Sequence, residues 1–346
     1  MIRAVIADDS ALLRQVLKDV LEASKRIQVV GAGVNGKEAV DLVKKLHPDI
    51  LVLDCEMPVM NGLEALRHIM QECPLPVFMF SSLTSEGASV TIRALEYGAV
   101  DFLCKPARGV AGLDEVAKEL IRKIECIVLK EKFKTLTARK TDGAVRRAPG
   151  TITQVPQRTV DIIAMGSSTG GVQASTKVIT GLPKDTKPIV WVQHMPPQFT
   201  LNFANRLDGL SALRVKEAED GDVVEHGTCY LAPGGLHMRV KKKGSKTVLD
   251  IQDGEKVSGH RPSCNVLFDS IAEYYESNVM GIILTGMGDD GAQGLQKLHA
   301  RGAYVIGQSE ASCVVYGMPK SAYQLGAVDI ELDIEVIATA IKKAGG

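Results

Sequence analysis

Gly166-Ser167-Ser168-Thr169-Gly170 has the spacing G-x-S-x-G, with Ser168 at its centre. A short apolar run, Ile162–Met165, leads into it, and helical spacing follows from about Val172 to Thr180. A serine on so tight a strand-to-helix turn stands clear of its neighbours only if the flanking positions are nearly bare. The helix start behind it offers free N–H groups and a positive dipole end, which suit a developing oxyanion. The same features suit a phosphate-binding turn, or a turn with no ligand, and this stretch alone leaves all three open.

A nucleophilic serine needs a base, and the chain has seven histidines. His194 follows the apolar run Ile189-Val190-Trp191-Val192-Gln193, so it ends a strand and emerges on the same sheet edge as Ser168. His260 is the second candidate, in Gly259-His260-Arg261-Pro262-Ser263, a stretch that could instead start a helix with Ser263 as N-cap. His47 and His68 fall on surface helices, His226 and His237 in a hairpin region, and His299 near a helix end. A third group must orient the imidazole, and Gly286-Met287-Gly288-Asp289-Asp290-Gly291 follows another apolar run, Gly281–Thr285. Either Asp could fix the tautomer and stabilise the imidazolium. The order Ser, His, Asp differs from that of α/β-hydrolases, but these roles recur on unrelated folds.

A second constellation lies near the start. Asp8 and Asp9 end one apolar run, Asp54 another, Ser81 a third and Lys105 a fourth. Three carboxylates on one sheet edge repel each other unless a hard cation sits among them, and few oxygen ligands plus water suit Mg²⁺. A lysine and a serine beside them can hold phosphoryl oxygens.

The elements that carry these groups alternate. Strands are expected at Ala4–Ala7, Val29–Gly31, Ile50–Leu53, Val77–Phe80 and Phe102–Cys104, with helices at Ala11–Ala23, Lys37–Leu46, Leu63–Gln71, Ala88–Tyr97 and Leu113–Lys132. That pattern implies an α/β chain whose N-terminal domain is a flavodoxin-like (βα)5 unit. After Arg158 a second doubly wound α/β pattern begins, with strands at Ile162–Met165, Ile189–Val192, Val279–Leu284 and Tyr304–Ile306. Helices are expected near Val266–Glu276, Ala292–Ala300 and Glu335–Lys343. Short alternating segments at Thr228–Ala232, His237–Val240 and Thr247–Ile251 read as an antiparallel hairpin insertion.

Charge divides the chain in the same places. Residues 1–126 hold 15 Lys/Arg against 18 Asp/Glu, residues 127–157 hold 7 against 2, and residues 158–346 hold 19 against 21. The middle segment reads as a basic flexible linker between domains 1–126 and 158–346. Lys+Arg and Asp+Glu balance at 41 each, and the second domain is net acidic without a helix-turn-helix pattern, which argues against nucleic acid as a partner. No apolar run approaches the ~18 residues of a membrane span. The N-terminus does not read as a signal peptide, and seven scattered cysteines without a C-x-x-C pair fit a reducing cytoplasm.

Ala7-Asp8-Asp9-Ser10, Leu53-Asp54-Cys55-Glu56-Met57-Pro58, Asn61-Gly62, Ser81-Ser82 and Lys105-Pro106 resemble the receiver domain of two-component response regulators. The resemblance implies that Asp54 accepts a phosphoryl group from a histidine kinase of the CheA type. It also implies that Asp8, Asp9, Asp54 and the Glu56 carbonyl hold Mg²⁺, and that Ser81 and Lys105 sense the phosphoryl group. In the second domain, Ser167-Ser168-Thr169-Gly170-Gly171, Gln193-His194-Met195-Pro196-Pro197, Leu231-Ala232-Pro233-Gly234-Gly235, His260-Arg261-Pro262-Ser263 and Leu284–Gly291 resemble the CheB family of chemotaxis protein-glutamate methylesterases. That resemblance implies a triad of Ser168, His194 and Asp290, with the Met287 amide and Thr169 supporting the oxyanion. Ser167 stands where the family often has Ala.

What is implied is a phosphorylation-activated serine esterase. It would hydrolyse glutamate γ-methyl esters on chemoreceptors, deamidate receptor glutamines, and need no cofactor for the hydrolysis. The unphosphorylated receiver is expected to cover the Ser168 edge. The alternative is a receiver with a non-enzymatic output domain that binds a phosphate or nucleotide.

Overall fold

A computed structural model describes residues 1–105, 113–138 and 150–345. The chain forms two compact units, Met1–Ala144 and Val145–Gly346.

The first unit holds strands β1 (Ile2–Ala7), β2 (Ile27–Gly33), β3 (Ile50–Asp54), β4 (Val77–Ser81) and β5 (Asp101–Cys104). They form one parallel sheet in the order β2-β1-β3-β4-β5. β3 and β4 are buried throughout, which is why they read as unbroken apolar runs. Helices α1 (Ala11–Ala23), α2 (Gly36–Leu46), α3 (Gly62–Glu72), α4 (Ser85–Glu96) and α5 (Leu113–Ala138) connect and cover the strands. The first four start at side-chain caps: Ser10, Asn35, Asn61 and Thr84 each accept from a backbone N–H three residues on. The expected (βα)5 unit is present. Helix α5 continues to Ala138, past residue 127 where the sequence suggests a linker; Leu120, Ile124, Ile127 and Val128 form its buried stripe. The rest of the linker expected before Gly150 lies outside the described residues, as does Pro106 of the Lys105-Pro106 pair.

The second unit contains β6 (Ile162–Ser167), α6 (Gly171–Thr180), β7 (Ile189–Gln193), α7 (Phe199–Asp208), β8 (Arg214–Glu217) and β9 (Thr228–Leu231). There follow β10 (His237–Lys243), β11 (Lys246–Gln252), α8 (Cys264–Tyr274), β12 (Val279–Ile283) and α9 (Ala292–Ala300). Last come β13 (Tyr304–Gln308), α10 (Met318–Gln324), β14 (Ile330–Leu332) and α11 (Ile334–Lys343). Seven strands make a parallel sheet in the order β14-β13-β12-β6-β7-β9-β8. Strand order reverses between β12 and β6, so the crevice outside their carboxyl ends is the place where such a sheet binds ligands.

One expectation needs correction here. Thr228–Leu231 belongs to the main sheet, paired in parallel with β7 and β8, and not to the hairpin. All four of its residues are buried, so its apparent alternation did not report a half-exposed strand. The antiparallel hairpin is β10–β11 alone, and Met238, Val240 and Leu249 seat it in the core with Leu267, Phe268 and Ile271 of α8. The strands missed in sequence, β8 and β14, are the sheet's edges, short and partly exposed.

Candidate active site

Ser168 is the first residue beyond β6 and is half-buried. Its N–H donates to the Thr285 carbonyl at 3.0 Å, and its own carbonyl accepts from Gly171 at 2.7 Å, closing the turn into α6. Gly170 has φ +74°, and a Cβ there would stand 2.5 Å from Val314, so only glycine fits. A Cβ on Gly286 would come within 2.9 Å of the Ser168 Cβ, so the turn after β12 lies directly against the serine.

The two neighbouring hydroxyls have different jobs. Ser167 is fully buried; its Oγ donates to Gln193 Oε1 at 2.6 Å and accepts from Trp191 Nε1 at 2.9 Å. The Gln193 amide in turn donates to the Ser168 carbonyl at 3.0 Å. Ser167 is thus a structural peg under the turn, its hydroxyl committed to Gln193 and Trp191. The Thr169 hydroxyl is buried with no hydrogen-bond partner among the described residues. Its own carbonyl accepts from Thr285 Oγ1 at 2.9 Å, which ties the turn to β12.

His194 extends the ladder beyond β7, its N–H donating to the Ser167 carbonyl at 3.1 Å. Its Nε2 lies 2.8 Å from Asp290 Oδ2, with both side chains largely buried. An ionised carboxylate there holds the imidazole proton on Nε2 and leaves the lone pair on Nδ1. Nδ1 is buried and has no partner among the described residues. The structure therefore leaves one basic nitrogen of His194 uncommitted, on the residue that follows the strand next to the serine.

Asp290 is 1 % exposed, whereas Asp289 is exposed, so only the second Asp of the pair serves the histidine. Its Oδ1 accepts from Ser263 Oγ at 2.7 Å and the Asn265 N–H at 3.2 Å; its Oδ2 accepts from the Cys264 N–H at 2.6 Å. These donors are the N-cap and first residues of α8, so the carboxylate sits on a helix N-terminus. Burial opposes its charge, yet bonds from His194, Ser263 and the Cys264 amide outweigh that and hold Asp290 below the usual carboxylate range. Cys264 brings a sulfur within 3.9 Å of His194 Nε2. Burial and then the charge of Asp290 push its thiol well up, which favours the protonated form. Met287 is half-buried in the same turn, between Gly286 and Gly288.

His260, the second candidate base, lies flat on His194, ring centroids 3.7 Å apart and planes 11° from parallel. It faces the ring rather than its edge. Ser263 stands at the N-cap position of α8, but its hydroxyl donates to Asp290 and does not cap the helix; the Asp290 carboxylate accepts the first N–H groups instead. Sequence reasoning missed the Trp191–Ser167–Gln193 peg and the amides that hold Asp290.

The first unit gathers the other constellation. Asp8, Asp9 and Asp54 bring carboxylate oxygens within 4.8 Å of one another. This all-oxygen set fits a hard divalent cation. Lys105 Nζ bridges Asp8 Oδ2 at 2.9 Å and Asp54 Oδ2 at 2.7 Å. Burial raises the Asp54 carboxyl, Lys105 opposes the rise, and the balance stands at about 6. Ser81 is buried and bound towards α4: its Oγ donates to the Gly87 carbonyl at 3.2 Å and accepts from Thr91 Oγ1 at 2.6 Å. Glu56 is exposed, and its N–H reaches Asp54 Oδ1 at 3.4 Å.

Known proteins share this organisation. Residues 163–341 match the CheB methylesterase family and residues 4–117 the response regulator receiver domain. A protein-glutamate methylesterase/protein-glutamine glutaminase of Sulfurimonas denitrificans is 46% identical over 330 residues, covering 95% of this chain and 94% of its own. A protein of the same name from Pyrococcus abyssi is 42% identical, covering 99% and 93%. The crystal structure of the Thermotoga maritima CheB methylesterase catalytic domain is 42% identical and superposes with a TM-score of 0.52, covering 54% of this chain and 99% of that one. The chain belongs to the CheB family, in which a response-regulator receiver precedes a protein-glutamate methylesterase/protein-glutamine glutaminase domain.

Proposed function

We propose that Ser168, His194 and Asp290 form the catalytic triad of this methylesterase, and that its substrate is the γ-methyl ester of glutamate side chains on chemoreceptors. Ser168 Oγ attacks the ester carbonyl while His194 Nδ1 takes the hydroxyl proton. The oxyanion that forms is held by the Met287 amide, with Thr169 in support. Collapse of the tetrahedral intermediate breaks the bond to methoxide, which leaves as methanol with the proton from His194. Water then repeats the sequence on the acyl-enzyme, and His194 acts first as base and then as acid. A receptor glutamine follows the same path with ammonia as leaving group. The hydrogen bond between His194 and the helix-capped Asp290 carries this reading. A serine-directed phosphonate tests it: mass spectrometry should place the adduct on Ser168, and an adduct on Ser167, or none, would contradict it.

In the receiver, Asp54 is the phosphoryl acceptor and a histidine kinase of the CheA type the donor. Asp8, Asp9, Asp54 and the Glu56 carbonyl would hold Mg²⁺, whose charge neutralises the carboxylates and the incoming phosphoryl oxygens. Lys105 pairs with the phosphoryl group, and Ser81 turns from the Gly87 carbonyl to bind it. Phosphorylation of Asp54 then raises the esterase activity of the second unit. No described helix is long and apolar enough to cross a membrane, and the seven cysteines are free, which supports a cytoplasmic site of action.

A further inference from the structure

The motif His260-Arg261-Pro262-Ser263 is only half used by the triad, through Ser263 on Asp290. We propose that His260 is a positioning residue: its imidazole is the flat wall that sets the plane of His194. This rests on Ser168, His194 and Asp290 being the triad. The His194 ring is anchored at Cβ and, through one 2.8 Å hydrogen bond, at Nε2. A ring fixed at two points still rocks about the line joining them, and rocking swings Nδ1 away from the hydroxyl it must deprotonate. A parallel ring with its centroid 3.7 Å away removes that freedom.

The backbone that carries His260 is pinned on both sides. Val257 and His260 exchange backbone hydrogen bonds of 3.1 and 3.0 Å across a tight turn whose central residues, Ser258 and Gly259, have φ of 52° and 79°. Asn265 Nδ2 donates to Ser258 Oγ at 3.3 Å, and the Arg261 carbonyl accepts from Gly235 at 3.2 Å. The Arg261 guanidinium pairs with Asp253 and reaches the Gly254 carbonyl at 2.5 Å. The same stretch continues into Ser263, Cys264 and Asn265, which hold Asp290. One segment, residues 257–265, thereby sets both the plane of the base and the seat of its carboxylate.

The test separates a flat wall from mere filling of space. In the full-length protein, with methylated receptor membranes, acetyl phosphate and Mg²⁺, kcat and KM for methanol release are measured for His260→Phe, His260→Leu and His260→Asn, each checked by thermal unfolding. Phe keeps the ring and should retain most of kcat. Leu and Asn lack it and should lose about 10-fold to 10²-fold in kcat with little change in KM, the scale of a small misplacement of reacting groups. If either fails to fold, the other carries the comparison. Equal activity in Phe and Leu, an equal loss in both, or a change confined to KM would overturn the proposal. Ser168→Ala in the same assay separates the two levels. If it is silent while every His260 variant stays at wild-type rate, only this inference falls; if it still releases methanol, the triad falls with it.

Discussion

The indole Nε1 of Trp191 donates a 2.9 Å hydrogen bond to the hydroxyl of Ser167, the residue immediately before Ser168. Both partners are fully buried, so the bond has no water to replace it. Ser167→Ala should therefore cost about 1–3 kcal/mol of stability, because it orphans the indole N–H. It should not abolish methanol release. Denaturant unfolding beside the esterase assay checks both halves.

Asp290 gives a pH signature with a definite sign. Its carboxyl is held below the ordinary value of 3.8 in the folded state, so its charge stabilises the fold above that value. The contribution should drain away as pH falls below 3.8 through the lowered folded value. Asp290→Asn should lose that part of the acid dependence in unfolding curves. It should also lower kcat by roughly 10³-fold to 10⁴-fold, as expected when the orienting carboxylate is removed and the tautomer goes wrong.

Asp54 behaves in the opposite sense. Burial lifts its carboxyl to about 6, and only the ionised form can attack a phosphodonor or bind a divalent cation. In metal-free protein, NMR titration should place this group near 6. The affinity for Mg²⁺ should weaken as pH falls through that value, because protons compete for the same oxygens. A titration near the ordinary carboxylate value would contradict the burial argument.

Gly170→Ala tests the turn itself. The left-handed backbone and the close approach to Val314 both forbid a side chain. The variant should lose more than about 1 kcal/mol of stability and most of its esterase activity, since the strain falls two residues from Ser168. Retention of full activity would show that the turn is less constrained than its geometry implies.

Much of this was legible in the sequence for physical reasons. Fully buried parallel strands such as Ile50–Asp54 are long apolar runs, and chemistry at their ends appears as polar residues at abrupt boundaries, as with Asp54, Ser168 and His194. What stayed hidden depends on contacts distant in sequence. Nothing local distinguishes Asp289 from Asp290, and only the family resemblance points to the second; the difference is that Asp290 meets the start of α8 and Asp289 meets solvent. His260 read as a rival base because its spacing says only that it is near the site, while its role depends on the tilt of one ring against another. Thr228–Leu231 reads as part of the hairpin because a short strand looks alike in sequence whether its neighbours are parallel or antiparallel.

The most direct measurement is methanol release from methylated receptor membranes, with and without acetyl phosphate and Mg²⁺, in the wild type, Ser168→Ala and Asp54→Ala. The account predicts release that rises with the phosphodonor, vanishes in Ser168→Ala and persists without activation in Asp54→Ala. Undiminished release from Ser168→Ala would contradict it.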